Sequence, residues 1–278
     1  MPSLRPLILP AFALILASCG KPPGPPFDAA RLEAGLDPSV GGPDTCLTIL
    51  DTATGAEIYR YGAPSVCDRP LAPCHTFAVP MALIGLDDAK LKPDETWRWD
   101  GQPQPYKVWE RDTDLAAAWR TGSGWFFQRL ARSIGPDRFK QQLSAFGYGQ
   151  GKPIGDPDHF WMGPAAGGGL FISTRGQADF LRRLARGDLP VKPGAVSAVE
   201  ALMADETRGA VALSDIGASC SSNAQDSRGV SWWIGRIHGP DRDRVFALSI
   251  ESDKPLPGFE IRTRVMPIFA RAGLWPAA

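Results

Sequence analysis

Histidine is scarce in this chain, three in 278 residues, too few for a histidine-built metal centre. Net charge is missing as well: 30 Lys+Arg balance 30 Asp+Glu. Without a long basic run, nucleic-acid binding loses its electrostatic basis. The apolar run from Leu7 to Leu16 falls short of the roughly 20 residues a membrane-spanning helix needs. Neither an internal repeat nor a linker after residue 44 is visible. Nine Trp and 9% aromatic residues, by contrast, supply the apolar mass that a disordered chain lacks.

The first segment reads as an address. Arg5 precedes the apolar run, which ends in Leu16-Ala17-Ser18-Cys19-Gly20, small residues directly before a cysteine. This resembles a bacterial lipobox, in which cleavage exposes a cysteine that is then lipidated. The alternative is an ordinary signal peptide with a coincidental Cys19. Lys21-Pro-Pro-Gly-Pro-Pro26 cannot be helical and reads as an extended tether. The expected organisation is a signal peptide over 1–18, a lipidated Cys19 and tether over 19–43, and one domain over 44–278. Such a chain is an exported bacterial lipoprotein, facing the periplasm and held at the inner or outer membrane.

Four further cysteines are present, Cys46, Cys67, Cys74 and Cys220. An oxidising compartment allows disulfides, with three pairings if all are used. Cys67 and Cys74 flank a short loop that they could staple. Free buried thiols are the alternative.

Thr45–Leu50 and Glu57–Tyr61, separated by Asp51-Thr-Ala-Thr-Gly55, form a hairpin signature. Helical spacing follows over Phe77–Leu86, with Pro80 confined to its first turns, and again around Phe126-Leu130-Ile134 and Phe180-Leu181-Leu184. Strand-like runs return at Ser231–Gly235 and Val245–Ile250, around a turn at His238–Asp241. A last helix is expected between Ile261 and Ala272, with Gly273 just past its end. Strands, then helices, then strands predict an α+β fold with a mostly antiparallel sheet.

Cys74-His75-Thr76-Phe77-Ala78-Val79-Pro80-Met81-Ala82-Leu83 resembles the active-site helix of class D (OXA-type) β-lactamases, Ser-Thr-Phe-Lys-Ile-Pro-Asn-Ala-Leu. Further matches keep the family's order: Trp99-Asp-Gly101, Trp109 to Ala118, Tyr148-Gly-Gln150, Phe160-Trp161, Leu170 to Pro190, and Trp232-Trp-Ile-Gly235. The resemblance covers roughly residues 44–270. It implies the serine β-lactamase/transpeptidase fold, an antiparallel sheet flanked by helices with a mainly helical subdomain. Phe259-Glu-Ile-Arg262 resembles the segment that bears the family's carboxylate-binding Arg, so the resemblance offers Arg262 to an acidic ligand; the alternative is a solvated helix-end arginine.

The departures fall on the chemistry. The resemblance implies a Ser nucleophile and, three residues on, a carbamylated Lys base on the same helix face. Those positions hold His75 and Ala78. The next motif's hydroxyl falls on Gly122, with Ser123 off by one. The strand motif Lys-Thr/Ser-Gly becomes Asp215-Ile216-Gly217. Two opposite charges near 4 Å attract by about 4 kcal/mol at an effective dielectric of 20, and Asp215 reverses that sign for an anionic substrate. Loss of a serine nucleophile alone costs about 2 × 10⁶ in turnover in a serine protease, and no relocated Ser-x-x-Lys is present in residues 44–278.

His75 is expected at a helix N-terminus, its pKa lowered by dipole and burial, with Asp215 facing it as an acid–base unit or as cleft filling. Ser123 and Ser219 are the nearby hydroxyls. A Cys74–Cys220 disulfide would bolt the two aligned motifs together. His159 and His238 are expected at the surface, and Trp161, Trp232 and Trp233 in the core. The expected function is a catalytically silent, lipid-anchored envelope protein that binds a cell-wall (peptidoglycan) peptide, a β-lactam or an envelope protein. The alternatives are a hydrolase or transpeptidase-like enzyme with a non-standard nucleophile, and a structural lipoprotein with a vestigial cleft. No metal, cofactor or nucleic acid is called for.

Overall fold

The hairpin signature folds as expected. In a computed structural model, describing residues 26–153, 155–221 and 228–277, Thr45–Asp51 (β1) and Glu57–Tyr61 (β2) pair antiparallel around the Thr52–Gly55 turn. The chain continues through α2 (Pro64–Cys67), α3 (Ala78–Asp87), α4 (Leu115–Thr121), α5 (Gly124–Ile134), α6 (Pro136–Phe146), α7 (Thr174–Ala185) and α8 (Pro193–Met203). It then returns to strands at Ala204–Arg208 (β3), Val211–Ser221 (β4), Gly229–Gly239 (β5) and Arg242–Ser252 (β6), before the helix α9 (Gly258–Arg271). The six strands form one antiparallel sheet in the order β2-β1-β6-β5-β4-β3.

Each sheet face buries its own apolar set, as the two-residue strand period requires. One face packs against α9, through Leu47, Ile49, Trp233, Leu248, Ile261, Val265 and Phe269. The other meets α7 and the helical subdomain, where α3 is buried along most of its length and Phe77, Phe139, Phe160 and Trp161 pack as an aromatic group. Trp161, Trp232 and Trp233 are core residues, as expected.

The boundary at residue 43 needs correction. Ala29–Ser39 form a helix (α1) whose N-cap Asp28 accepts from the Arg31 amide at 2.9 Å. Leu32 and Leu36 are fully buried with α9 residues, so this segment is part of the fold and not of a tether. Its apolar period is short and sparse, which is why composition alone read it as linker. Cys19 and the Lys21–Pro25 part of the proline-rich stretch lie outside the described residues.

Candidate functional site

The segment before α3 is fixed from several sides. Leu71 and Ile172 exchange backbone hydrogen bonds of 3.0 and 2.8 Å. Trp232 Nε1 donates to the Ala72 carbonyl at 2.8 Å, and the Cys74 amide donates to the Trp161 carbonyl at 2.9 Å. Thr76 Oγ1 donates to the Pro73 carbonyl at 2.6 Å and accepts from Gln177 Nε2 at 2.7 Å. Together these hold a 3-10 turn, Cys74–Phe77, that runs directly into α3. Buried polar groups satisfied in this way define one geometry for the turn.

The cysteines complete the frame. Cys46 pairs with Cys67, and Cys74 with Cys220, so the short Cys67–Cys74 staple does not form. The helix α2 turns Cys67 back onto β1, where it is buried with Cys46 and Val66, while Cys74 faces β4. The second disulfide therefore joins the turn bearing His75 to the strand bearing Asp215.

A cleft of about 420 Å³ lies between this turn, the end of α4, the open edge of β4 and the start of α9. His75 lines it, together with Gly122, Asp215, Gly217 and Arg262. The His75 ring packs edge-on to Phe127 at 4.8 Å, and its Nε2 is buried with no hydrogen-bond partner. Burial pushes its pKa down to about 4 by desolvation, leaving a neutral imidazole. Ala78, at the position of the family's base, is 2% exposed among apolar neighbours and holds no proton acceptor. Ser123 is 1% exposed with an unpartnered Oγ, and neither it nor Trp161 lines the cleft. Trp161 instead stacks on Phe77 at 5.8 Å. Ser219 sits half-buried on β4 and also does not line the cleft.

The expected His75–Asp215 pair is absent, and strand alternation explains it. Ile216 and Ala218 face the helical subdomain that carries His75. Asp215 and Gly217 point to the opposite face, where Trp233 Nε1 donates to Asp215 Oδ2 at 2.5 Å. A Cβ on Gly217 would lie 2.6 Å from the Gly258 Cα, so glycine here lets α9 settle on the strand. With a side chain only 6% exposed, Asp215 has its pKa raised to about 6, chiefly by burial and against the pull of Trp233 and Arg262.

Arg262 is paired within the protein. Its guanidinium meets Asp215 at 3.3 Å and Glu206 at 3.1 Å, and also pairs with Asp205. Asp205 and Glu206 were not singled out by sequence reading. They stand on β3 more than fifty residues from Arg262, and only the β3–β4 pairing brings them to it. That pairing reaches no further than Ser214, so among the described residues no strand covers this edge of β4 from Asp215 onward.

Of the other two histidines, both expected at the surface, His159 lies there and His238 does not. His159 is partly exposed and tied to Gln128 and Asp156 at 2.8 and 3.2 Å. His238 is half-buried with an unpartnered Nδ1 and lines a second cavity.

Comparison with known proteins places these features. Residues 45–266 match the family model for the penicillin binding protein transpeptidase domain. The chain is similar to the β-lactamase OXA-5 of Pseudomonas aeruginosa, 33% identical over 199 residues that cover 70% of this chain and 73% of that protein. It is 28% identical over 208 residues to the regulatory protein BlaR1 of Bacillus licheniformis, covering 74% of this chain and about a third (33%) of BlaR1. The solved class D β-lactamase of Bacillus subtilis superposes with a TM-score of 0.75 at 25% identity, covering 90% of this chain and 99% of that one.

Proposed function

The chain belongs to the penicillin binding protein transpeptidase family, in its class D β-lactamase-like group, and on that premise we propose that it is a non-acylating member that works by binding. The observation that carries this reading is the pair His75 and Ala78. A buried alanine stands where the base would be, and the imidazole beside it has no partner at Nε2 to activate it. General-base catalysis needs an acceptor within hydrogen-bond reach of the proton it takes, and Ala78 has none. A regulatory protein among the relatives, BlaR1, is consistent with a binding role. In this reading the chain is exported, lipidated at Cys19 and held at the membrane facing the periplasm.

The cleft's charges narrow the ligand. Arg262 is held by three carboxylates and Asp215 occupies the lysine position. A free carboxylate on the ligand therefore meets like charge and must displace internal pairs. A cell-wall peptide or envelope protein presenting a neutral or cationic group suits this cleft better than a β-lactam.

Intact-mass spectrometry after long incubation with a panel of penicillins, with nitrocefin turnover in parallel, tests the reading. We expect neither adduct nor turnover. A covalent adduct that disappears in His75→Ala would refute it and assign nucleophilic attack to this imidazole.

A further inference from the structure

A second cavity, of about 350 Å³, lies behind the cleft between α7, α8 and the far ends of β3, β4 and β5. Leu181, Leu184 and Met203 give it an apolar wall. For scale, an engineered apolar cavity of about 150 Å³ in another protein holds a benzene molecule. The polar side is uneven in charge. Arg236 donates two hydrogen bonds to Asp243, at 2.8 and 2.7 Å, and reaches Glu200 only at 3.5 Å. Glu200, 43% exposed, is thus an incompletely neutralised carboxylate at the mouth. His238 adds a buried Nδ1 with no hydrogen-bond partner, and buried polar groups left in that condition are uncommon. Asp205 lines both this cavity and the cleft, but its carboxylate is committed to Arg262, so β3 is the partition between two separate spaces.

The geometry points to a small-molecule site here, taking an amphipathic amine: an apolar body against Leu181, Leu184 and Met203, and an ammonium group on Glu200 within reach of His238. Apolar walls with a few convergent polar groups and a volume in this range are the usual form of a ligand pocket. Charge complementarity selects the amine, because the cavity's arginine is already bound to Asp243 and has no free face for an anion.

The test uses the purified protein and three probes of one shape, 4-phenylbutylamine, 4-phenylbutan-1-ol and 4-phenylbutyrate, titrated calorimetrically and followed by histidine ring NMR. The amine is expected to bind at least tenfold more tightly than the carboxylate, with the His238 resonances shifting and those of His75 unmoved. Glu200→Gln, a change at an exposed helix position, is expected to remove the preference. Ala185→Phe, filling the cavity and checked for native circular dichroism, is expected to abolish binding. Equal affinity for the three probes, no binding of the amine at millimolar concentration, an unchanged preference in Glu200→Gln, or a shift at His75 in place of His238 would each overturn the proposal.

Discussion

His75 and Asp215 should pull the stability of this protein in opposite directions as pH changes. The native imidazole titrates near 4 against an ordinary 6.5. Between those values the unfolded chain holds a proton that the native state does not. Stability from this group is therefore full above 6.5 and lost as pH falls through 4. Asp215 behaves in reverse, because its native pKa is about 6 against an ordinary 3.8. The native state holds the extra proton, so its contribution is full below 3.8 and lost as pH rises through 6. At 1.36 kcal/mol per pH unit, His75 is worth about 3 kcal/mol between pH 7 and 4, and Asp215 about 2 kcal/mol with the opposite sign. In the parent protein the two nearly cancel. His75→Gln should uncover Asp215, gaining about 3 kcal/mol on the parent as pH falls from 7 to 4. Asp215→Asn should uncover His75, losing about 2 kcal/mol on the parent over the same range. Urea unfolding followed by tryptophan fluorescence at pH 4, 5.5 and 7 reads these differences directly, since every other titrating group is common to parent and variant. Differences that stay flat within about 0.5 kcal/mol, or that move with the same sign in both variants, would refute the assigned burial of these two groups.

Three further outcomes are expected. Cys74→Ala/Cys220→Ala opens a 146-residue separation and Cys46→Ala/Cys67→Ala one of 21; chain entropy makes the first loss larger by about 1.7 kcal/mol, read from urea midpoints, and non-reducing peptide mapping that found a Cys67–Cys74 bridge would contradict the pairing. Gly217→Ala places a methyl against the Gly258 backbone and should cost about 1–3 kcal/mol, measured by thermal unfolding; a neutral result would mean that α9 does not sit this close to β4. Leu36→Ala should cost about 2–5 kcal/mol if α1 belongs to the core, and a change below about 0.5 kcal/mol in urea would return that segment to the tether.

The elements that local patterning specifies were readable. The β1–β2 hairpin, the apolar helix after the Cys74 turn and the β5–β6 pair each carry a period and a turn signal in a few consecutive residues. The helix α1 was not, because its two buried leucines, Leu32 and Leu36, sit among alanine, glycine and charged residues, and only α9 gives them something to cover. In the site, the residue types at positions 75, 78, 122 and 215 were legible and so were the groups they lack. Their relations were not. Whether Asp215 meets His75 depends on which face of β4 it occupies, and one residue of register reverses that answer.

Sequence by itself determined the chemistry that is missing: no residue change in folding can give Ala78 a proton acceptor. It also determined the α+β order of elements, since hydrophobic period and turn residues act over short stretches. The tertiary structure alone decided which cysteines meet, that Arg262 is held by Asp205, Glu206 and Asp215, and that His75 stands neutral and unpartnered. Each of these depends on distances between segments up to 146 residues apart, set by how the sheet closes and by which side chains lose their water, and no local pattern records either.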